Sequence, residues 1–233
     1  MSIAENLQRI IDAKAAICQA IIDKGVDVPE NAKIEDLAAL IAEIGDSGQT
    51  EEIGGKTYKV VEINGKTWMA ENLDYDYIGA KSHPDYPKFG KYYSKTMAST
   101  VADAIQGWHL PTKAEVKSLY TSIGLKITDS YGELYWDYYQ SSEEGNAALN
   151  TILAKGYDEW PFATNTTKLS IVPGAYWDST WQSFPYQARY WTSNSDYQIR
   201  IDGNTEEYDS PEASYAYVGG SDNYYIPIRL VKD

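Results

Sequence analysis

The sequence predicts an α+β protein: a short helical module, then a larger domain of mixed small sheets, two helices and long loops. Three observations predict it. Apolar residues recur at near-heptad spacing through the first 44 residues. An Asn-Gly turn signal between extended runs follows at residues 64–65. Beyond about residue 157, short runs rich in Tyr, Trp, Ile and Val alternate with polar stretches. At 233 residues the chain can bury a sizeable core.

The helical module is expected over residues 1–45. Ser2 and Glu5 have capping-box spacing. Ile3, Leu7, Ile10, Ile17 and Ile21 form a stripe interrupted by Lys14, and Gly25 suits a helix end. Pro29 bars one continuous helix. A second helix is expected from Ile34, with Leu37, Ala38, Ile41 and Ile44 on one side and Gly45 as its stop. Two such helices bury little alone, so they form a hairpin or serve for docking or oligomerisation. Residues 46–55 are polar and Gly-rich and predict a linker.

The main domain is expected over residues 56–233. The similar pieces "IGGKTY" (53–58) and "INGKTW" (63–68) flank its first extended run. Asn64-Gly65 predicts a hairpin, because a type I′ turn needs positive φ at both central positions. Thr112 and Glu115, after Pro111, predict a capped helix start, with Val116, Leu119 and Tyr120 inward. A shorter helix is expected near 144–155. Strands are expected in "KLSIVPGAYW", "ARYWTS", "YQIRID", "SYAYVG" and "YYIPIRLV".

Composition narrows the function. The net charge of −14 opposes a phosphate backbone, so no nucleic-acid partner is expected. No run has the length of a membrane span, so no membrane insertion is expected. The N-terminus has no basic and apolar leader pattern, which predicts synthesis in the cytoplasm without a signal peptide. Cys18 is the one cysteine and suits a helix face better than a nucleophile. His83 and His109 lack zinc-ligand spacing. His109 is expected to be packed or hydrogen-bonded beside the helix start.

Tyr numbers 21, against 3 Phe, which predicts a broad, half-exposed aromatic surface. From Asn194 to Tyr225, Tyr, Ser, Asn, Asp and Gly supply 20 of 32 residues. Large amphipathic rings among small polar groups make a recognition surface, as in antibody paratopes. The ligand-binding residues expected here are Asn194, Asp196, Tyr197, Tyr208, Tyr215, Tyr217, Ser221, Asp222, Asn223 and Tyr224. Tyr190, Trp191, Ile226, Ile228 and Leu230 are expected in the core. Glu206, Glu207, Asp209 and Glu212, with Asp202 nearby, form an acidic run that suits a solvated loop. No cofactor is expected, and calcium is the one metal such a run would suit. As a glycosidase, the chain would use Glu206, Glu207 and Asp209, with Trp136, Trp160, Trp177 and Trp181 as stacking platforms.

Six motifs then carry a resemblance: "GKTWMAENLDY" (65–75), "GKYYS" (90–94), "GWHLPTKAEV" (107–116), "VPGAYW" (172–177), "ARYWTS" (188–193) and "IPIRLVKD" (226–233). In this order they resemble the major paralogous domain first named from Fibrobacter succinogenes, over about residues 53–233. That resemblance implies a C-type lectin-like fold, in the branch that includes formylglycine-generating enzymes. It also implies kinship with variable proteins of diversity-generating retroelements, in which codons near the C-terminus are rewritten. The main domain has no cysteine, so the oxidase activity of that branch is not implied. The "EPN" and "WND" triplets of calcium-dependent lectins are absent as well. Residues 13–44 resemble helical segments of phage tail and tail-fibre proteins.

The expected function is non-enzymatic binding of a protein or glycan receptor on a cell surface. The location would be a phage tail or an extracellular surface, with residues 1–45 docking to the tail or forming a homo-oligomer. The rivals are a carbohydrate-active protein and a bacterial surface or fimbrial adhesin.

Overall fold

A computed structural model describes residues 3–22, 28–29, 32–34, 36–37, 49–130, 132–136, 142–155, 160, 162–194, 197–202, 212–217 and 223–233. The chain divides into two compact units, Met1–Gln49 and Thr50–Asp233. In the first, helix α1 spans Ile3–Ile22. Its interior is rich in alanine, the best helix former. Leu7, Ile10, Ile11, Ile17 and Ile22 are exposed, whereas Ile21, Ala32 and Leu37 are buried. Ile34, Asp36 and Leu37 are helical, as expected for a second helix; Gly25, Ala38, Ile41, Ile44 and Gly45 lie outside the described residues. Among the described residues, no helix is long and apolar enough to cross a membrane.

The second unit is mixed α and β, with small antiparallel sheets. Strands β1 (Thr50–Ile53), β2 (Lys56–Ile63) and β3 (Lys66–Met69) form a meander. The expected linker is therefore shorter at its C-terminal end, because Thr50–Ile53 pairs with β2. Its Gly54-Gly55 pair is a hairpin turn equivalent to Asn64-Gly65. All four residues have positive φ, with Asn64 at 52° and Gly65 at 71°. The primed turn matches the twist of the strands that it joins.

Next come β4 (Tyr92–Tyr93), α2 (Lys95–Ala104) and α3 (Lys113–Ser122). The capping box of α3 is formed as expected. The Glu115 N–H donates to Thr112 Oγ1 at 3.2 Å, and the Thr112 N–H donates to Glu115 Oε2 at 2.8 Å. Glu115 Oε1 lies 2.9 Å from His109 Nε2, so His109 is the hydrogen-bonded histidine expected there. Burial by itself would raise the Glu115 carboxyl pKa; the bonds from Thr112 and His109 prevail and hold it below the usual value.

Strands β5 (Ile127–Ser130) and β6 (Glu133–Trp136), helix α4 (Ser142–Asn150), and strands β7 (Gly174–Trp177), β8 (Trp181–Trp191), β9 (Tyr197–Asp202) and β10 (Glu212–Tyr217) follow. The strands form a six-stranded sheet of order β5-β6-β10-β9-β8-β7. The β7–β8 register shifts between Gly174 and Tyr176. On β8 the shift falls between Gln182 and Gln187, a stretch that includes Pro185, which has no N–H for the ladder.

The expected single strand "YYIPIRLV" is instead two short ones, β11 (Ile226–Pro227) and β12 (Val231–Lys232). β11 pairs with β4, and β12 completes the four-stranded sheet beside β3. Between them the Ile228 and Leu230 carbonyls accept from Leu73 and Met69 N–H groups. This segment is buried throughout, from Ile226 to Val231, so it cannot alternate in and out as a half-exposed strand would.

Two apolar clusters hold this unit together. One gathers Val116, Leu119, Leu134, Leu149, Tyr190, Ile199 and Ile201. The other gathers Tyr58, Met69, Tyr93, Val101, Trp191, Ile226, Ile228 and Leu230. Tyr190, Trp191, Ile226, Ile228 and Leu230 all take the core places expected of them. The tyrosine excess is only partly a surface feature, because Tyr58, Tyr92, Tyr93, Tyr120 and Tyr190 are buried. Two of these serve as internal hydrogen-bond posts. Tyr58 Oη accepts from the Asp74 N–H, and Tyr93 Oη accepts from the Tyr75 N–H while donating to Tyr75 O at 2.8 Å.

Candidate ligand-binding surface

Three segments converge at the end of the β7–β8 hairpin. Backbone bonds fix them. The N–H groups of Trp177 and Tyr225 each donate to the other's carbonyl, at 3.0 and 2.8 Å, and Lys81 and Tyr92 do the same at 2.9 Å. The side chains carried there are large, flat and half-buried. Trp177 and Tyr225 meet edge to face, centroids 5.2 Å apart, and Lys81 Nζ lies 3.8 Å from the Trp177 ring centre. Tyr176 and Tyr224 form a second pair at 5.7 Å, with the Arg189 guanidinium 4.0 Å above Tyr176. Trp181 closes the ridge against His83 at 4.6 Å and Tyr92 at 4.9 Å. Tyr176, Trp177, Trp181, Tyr224 and Tyr225 are half-buried and packed against their neighbours, which keeps them ordered at low entropy cost before a partner arrives.

His83 is the histidine of this ridge. It is buried between Trp181 and Tyr86, and its Nδ1 accepts the Asp85 N–H at 3.2 Å. Burial lowers its pKa below the ordinary value, against the weaker pull of Asp85. A histidine with a depressed folded pKa stabilises the fold fully above its unfolded value, about 6.5. That contribution is lost as pH falls through the window between the two values. The melting temperature is therefore expected to fall more between pH 7 and 5 in the wild type than in His83→Gln. Parallel pH profiles of the two proteins would show that His83 is not the titrating group.

The structure brings together only part of the expected site. Tyr224 belongs to the ridge, and the exposed Asn223 adjoins it. Asn194 is exposed where the chain leaves β8. Tyr197 packs partly against the first cluster, and its hydroxyl faces Gly132, where a Cβ would lie 3.1 Å away. In the backbone register Tyr217 stands opposite Tyr197 and Tyr215 opposite Ile199. Tyr197, Tyr215 and Tyr217 thus lie in strands, where "YQIRID" and "SYAYVG" predicted strands. Asp196, Tyr208, Ser221 and Asp222 lie outside the described residues.

Of the acids considered for catalysis, Glu206, Glu207 and Asp209 lie outside the described residues. Asp202 and Glu212 stand opposite each other on β9 and β10. Among the described residues no three metal-ligating side chains converge. Trp160 is buried and is not a surface platform; Trp177 and Trp181 are surface rings. Sequence reasoning missed Lys81, His83, Tyr86, Tyr176 and Arg189. The pattern "AYWDSTWQ", aromatic on both sides of a polar turn, is the signal that could have found Tyr176.

The Fibrobacter succinogenes major domain model matches residues 61–232, almost the whole of the second unit. The chain belongs to that family. No curated protein and no solved structure matches it. The family match spans every part of the aromatic ridge and all of the six-stranded sheet, so both are built within the Fibrobacter succinogenes major domain itself. Residues 1–49 form the unit outside it.

Proposed function

We propose that this chain is a non-enzymatic binding protein, whose Fibrobacter succinogenes major domain has a C-type lectin-like fold and presents an aromatic surface to a receptor on a cell surface. The observation that carries this reading is the ridge of half-buried rings, Tyr176, Trp177, Trp181, Tyr224 and Tyr225, cross-tied by backbone bonds and topped by cations. Rigid aromatic anchors are the residues that dominate protein and glycan recognition. The Asn194–Tyr225 window starts and ends beside buried residues, Trp191 and Ile226. Within the window Ile199 and Ile201 belong to the core, so a retroelement-diversified variable protein would vary exposed positions such as Asn194 and Asn223 and keep those two. The apolar stripe on α1 suits assembly of the N-terminal unit into a homo-oligomer or a phage tail.

The test is binding of the labelled chain to a panel of bacterial cells by flow cytometry. Trp177→Ala and Tyr224→Ala are each expected to reduce binding about 30-fold, the equivalent of a 2 kcal/mol anchor. Near-UV circular dichroism would confirm that each variant is folded. Full binding by folded variants of both kinds would remove the ridge from the recognition surface.

A further inference from the structure

The Asn194–Tyr225 window leaves the core after Trp191 and Thr192 and rejoins it at Ile226. Both ends meet the same short stretch, Tyr92–Lys95, which is remote from either in the chain. At the far end β11 pairs with β4, with Ile226 opposite Tyr93 and Pro227 opposite Tyr92. At the near end the Trp191 Nε1–H donates to Tyr93 O at 2.8 Å, and Lys95 Nζ donates to Thr192 O. One run of neighbouring residues thus holds both ends of the window.

Lys95 is the unexpected member of that run. It is the first residue of α2, where the positive end of the helix dipole disfavours a cation. It is also only 6% exposed, and taking an ammonium out of water is costly. Two local rules are broken at one residue, and such places mark positions kept for function. The bond to Thr192 is strong for the same reasons. The donor is charged, and the buried acceptor residue is screened from competing water. Thr192 carries the tie onward. Its Oγ1 donates to Tyr197 O at 2.9 Å, and the next N–H, of Ser193, donates to Pro111 O at 2.9 Å. Ser193 and Asn194 are then exposed. The ammonium therefore grips the last buried residue before the chain reaches the surface.

We propose that Lys95 is a positioning residue of the recognition surface: it fixes the point and direction at which the window leaves the core, and does not itself meet the partner. A window held at both ends meets its partner already ordered, whereas a loose end must be ordered on binding. The inference deepens the binding reading above and rests on it, by naming a residue outside the window that sets its affinity.

Two measurements on full-chain Lys95→Met test it. The first is amide hydrogen exchange. The Ser193 and Tyr197 N–H groups are expected to exchange about 10-fold faster, and those of Val116 and Ile171 at the wild-type rate, because local opening spares the core. The second is saturation binding to the bacterial cells that the wild type binds. The Kd is expected to rise about 10-fold, the cost of ordering the backbone of about one residue, at unchanged capacity. A mere loss of stability would do the reverse, lowering the number of competent chains at the wild-type Kd. Lys95→Arg, which keeps a cation of similar reach, is expected to recover part of the affinity. If near-UV circular dichroism shows Lys95→Met unfolded, the shorter, neutral Lys95→Gln takes its place; if that unfolds too, Lys95 is a folding residue and the proposal falls. Unchanged exchange at Ser193 and Tyr197 would overturn it, as would an unchanged Kd in a variant whose exchange has risen. In either case loss of binding in Trp177→Ala would leave the binding reading standing. A wild-type chain that binds no cell overturns that reading, and this one with it.

Discussion

Replacing Arg229 with methionine is expected to lower the unfolding free energy by about 3–5 kcal/mol. Arg229 is buried on the segment between β11 and β12. Its Nε donates to Asn72 Oδ1 at 2.8 Å, Nη2 to Ser170 O at 2.7 Å, and Nη1 to Leu169 O and Met69 O. Asn72 in turn donates to Phe89 O at 3.0 Å. One guanidinium thus joins the ends of three chain segments far apart in sequence, and Tyr190 lies beneath it, 5.3 Å from ring centre to charge. Methionine fills the space but orphans several buried carbonyls, and each such loss costs about 1–3 kcal/mol. Arg229→Lys should recover only part, because one ammonium cannot span acceptors on separate segments. Urea unfolding at constant m-value measures the effect. A loss below about 1 kcal/mol, within the range of ordinary surface substitutions, would show that the network is not what ties these segments together.

Trp191→Ala is expected to destabilise the domain by about 3–5 kcal/mol, lowering the melting temperature by roughly 10–15 °C. Trp191 is fully buried at the end of β8, in the second apolar cluster, and its Nε1–H donates to Tyr93 O at 2.8 Å. Its neighbour Tyr190 belongs to the first cluster. Adjacent residues of one strand therefore anchor both clusters, as alternation across a sheet allows. Alanine leaves a cavity that the surrounding residues fill only in part. Trp191→Phe keeps most of the volume and orphans only one carbonyl, so its expected cost is about 1–2 kcal/mol. If phenylalanine proves as damaging as alanine, the hydrogen bond rather than the packing holds this site.

The candidate surface shows where residue types stop being informative. Tyr197 is a residue type found in any paratope, yet the β8–β9 register places it on the side of Ile199 and Ile201, partly packed against the first cluster. Moving that register by one residue would reverse the assignment, and composition is blind to such a shift. Lys81 and Trp177 are 96 positions apart in the chain and meet through the Lys81–Tyr92 and Trp177–Tyr225 bridges.

What the sequence by itself determined is local. It set the Thr112–Glu115 cap, the Asn64-Gly65 turn, the family motifs and the burial of Tyr190, Trp191 and the Ile226–Leu230 segment. Each depends on neighbours a few residues away or on a side chain too apolar to leave in water. The tertiary structure alone decided which tyrosines face the core, which aromatics form the ridge, and that the last strand is broken in two around Arg229. Those outcomes depend on contacts between segments remote in the chain, and a residue's own chemistry does not name its partner.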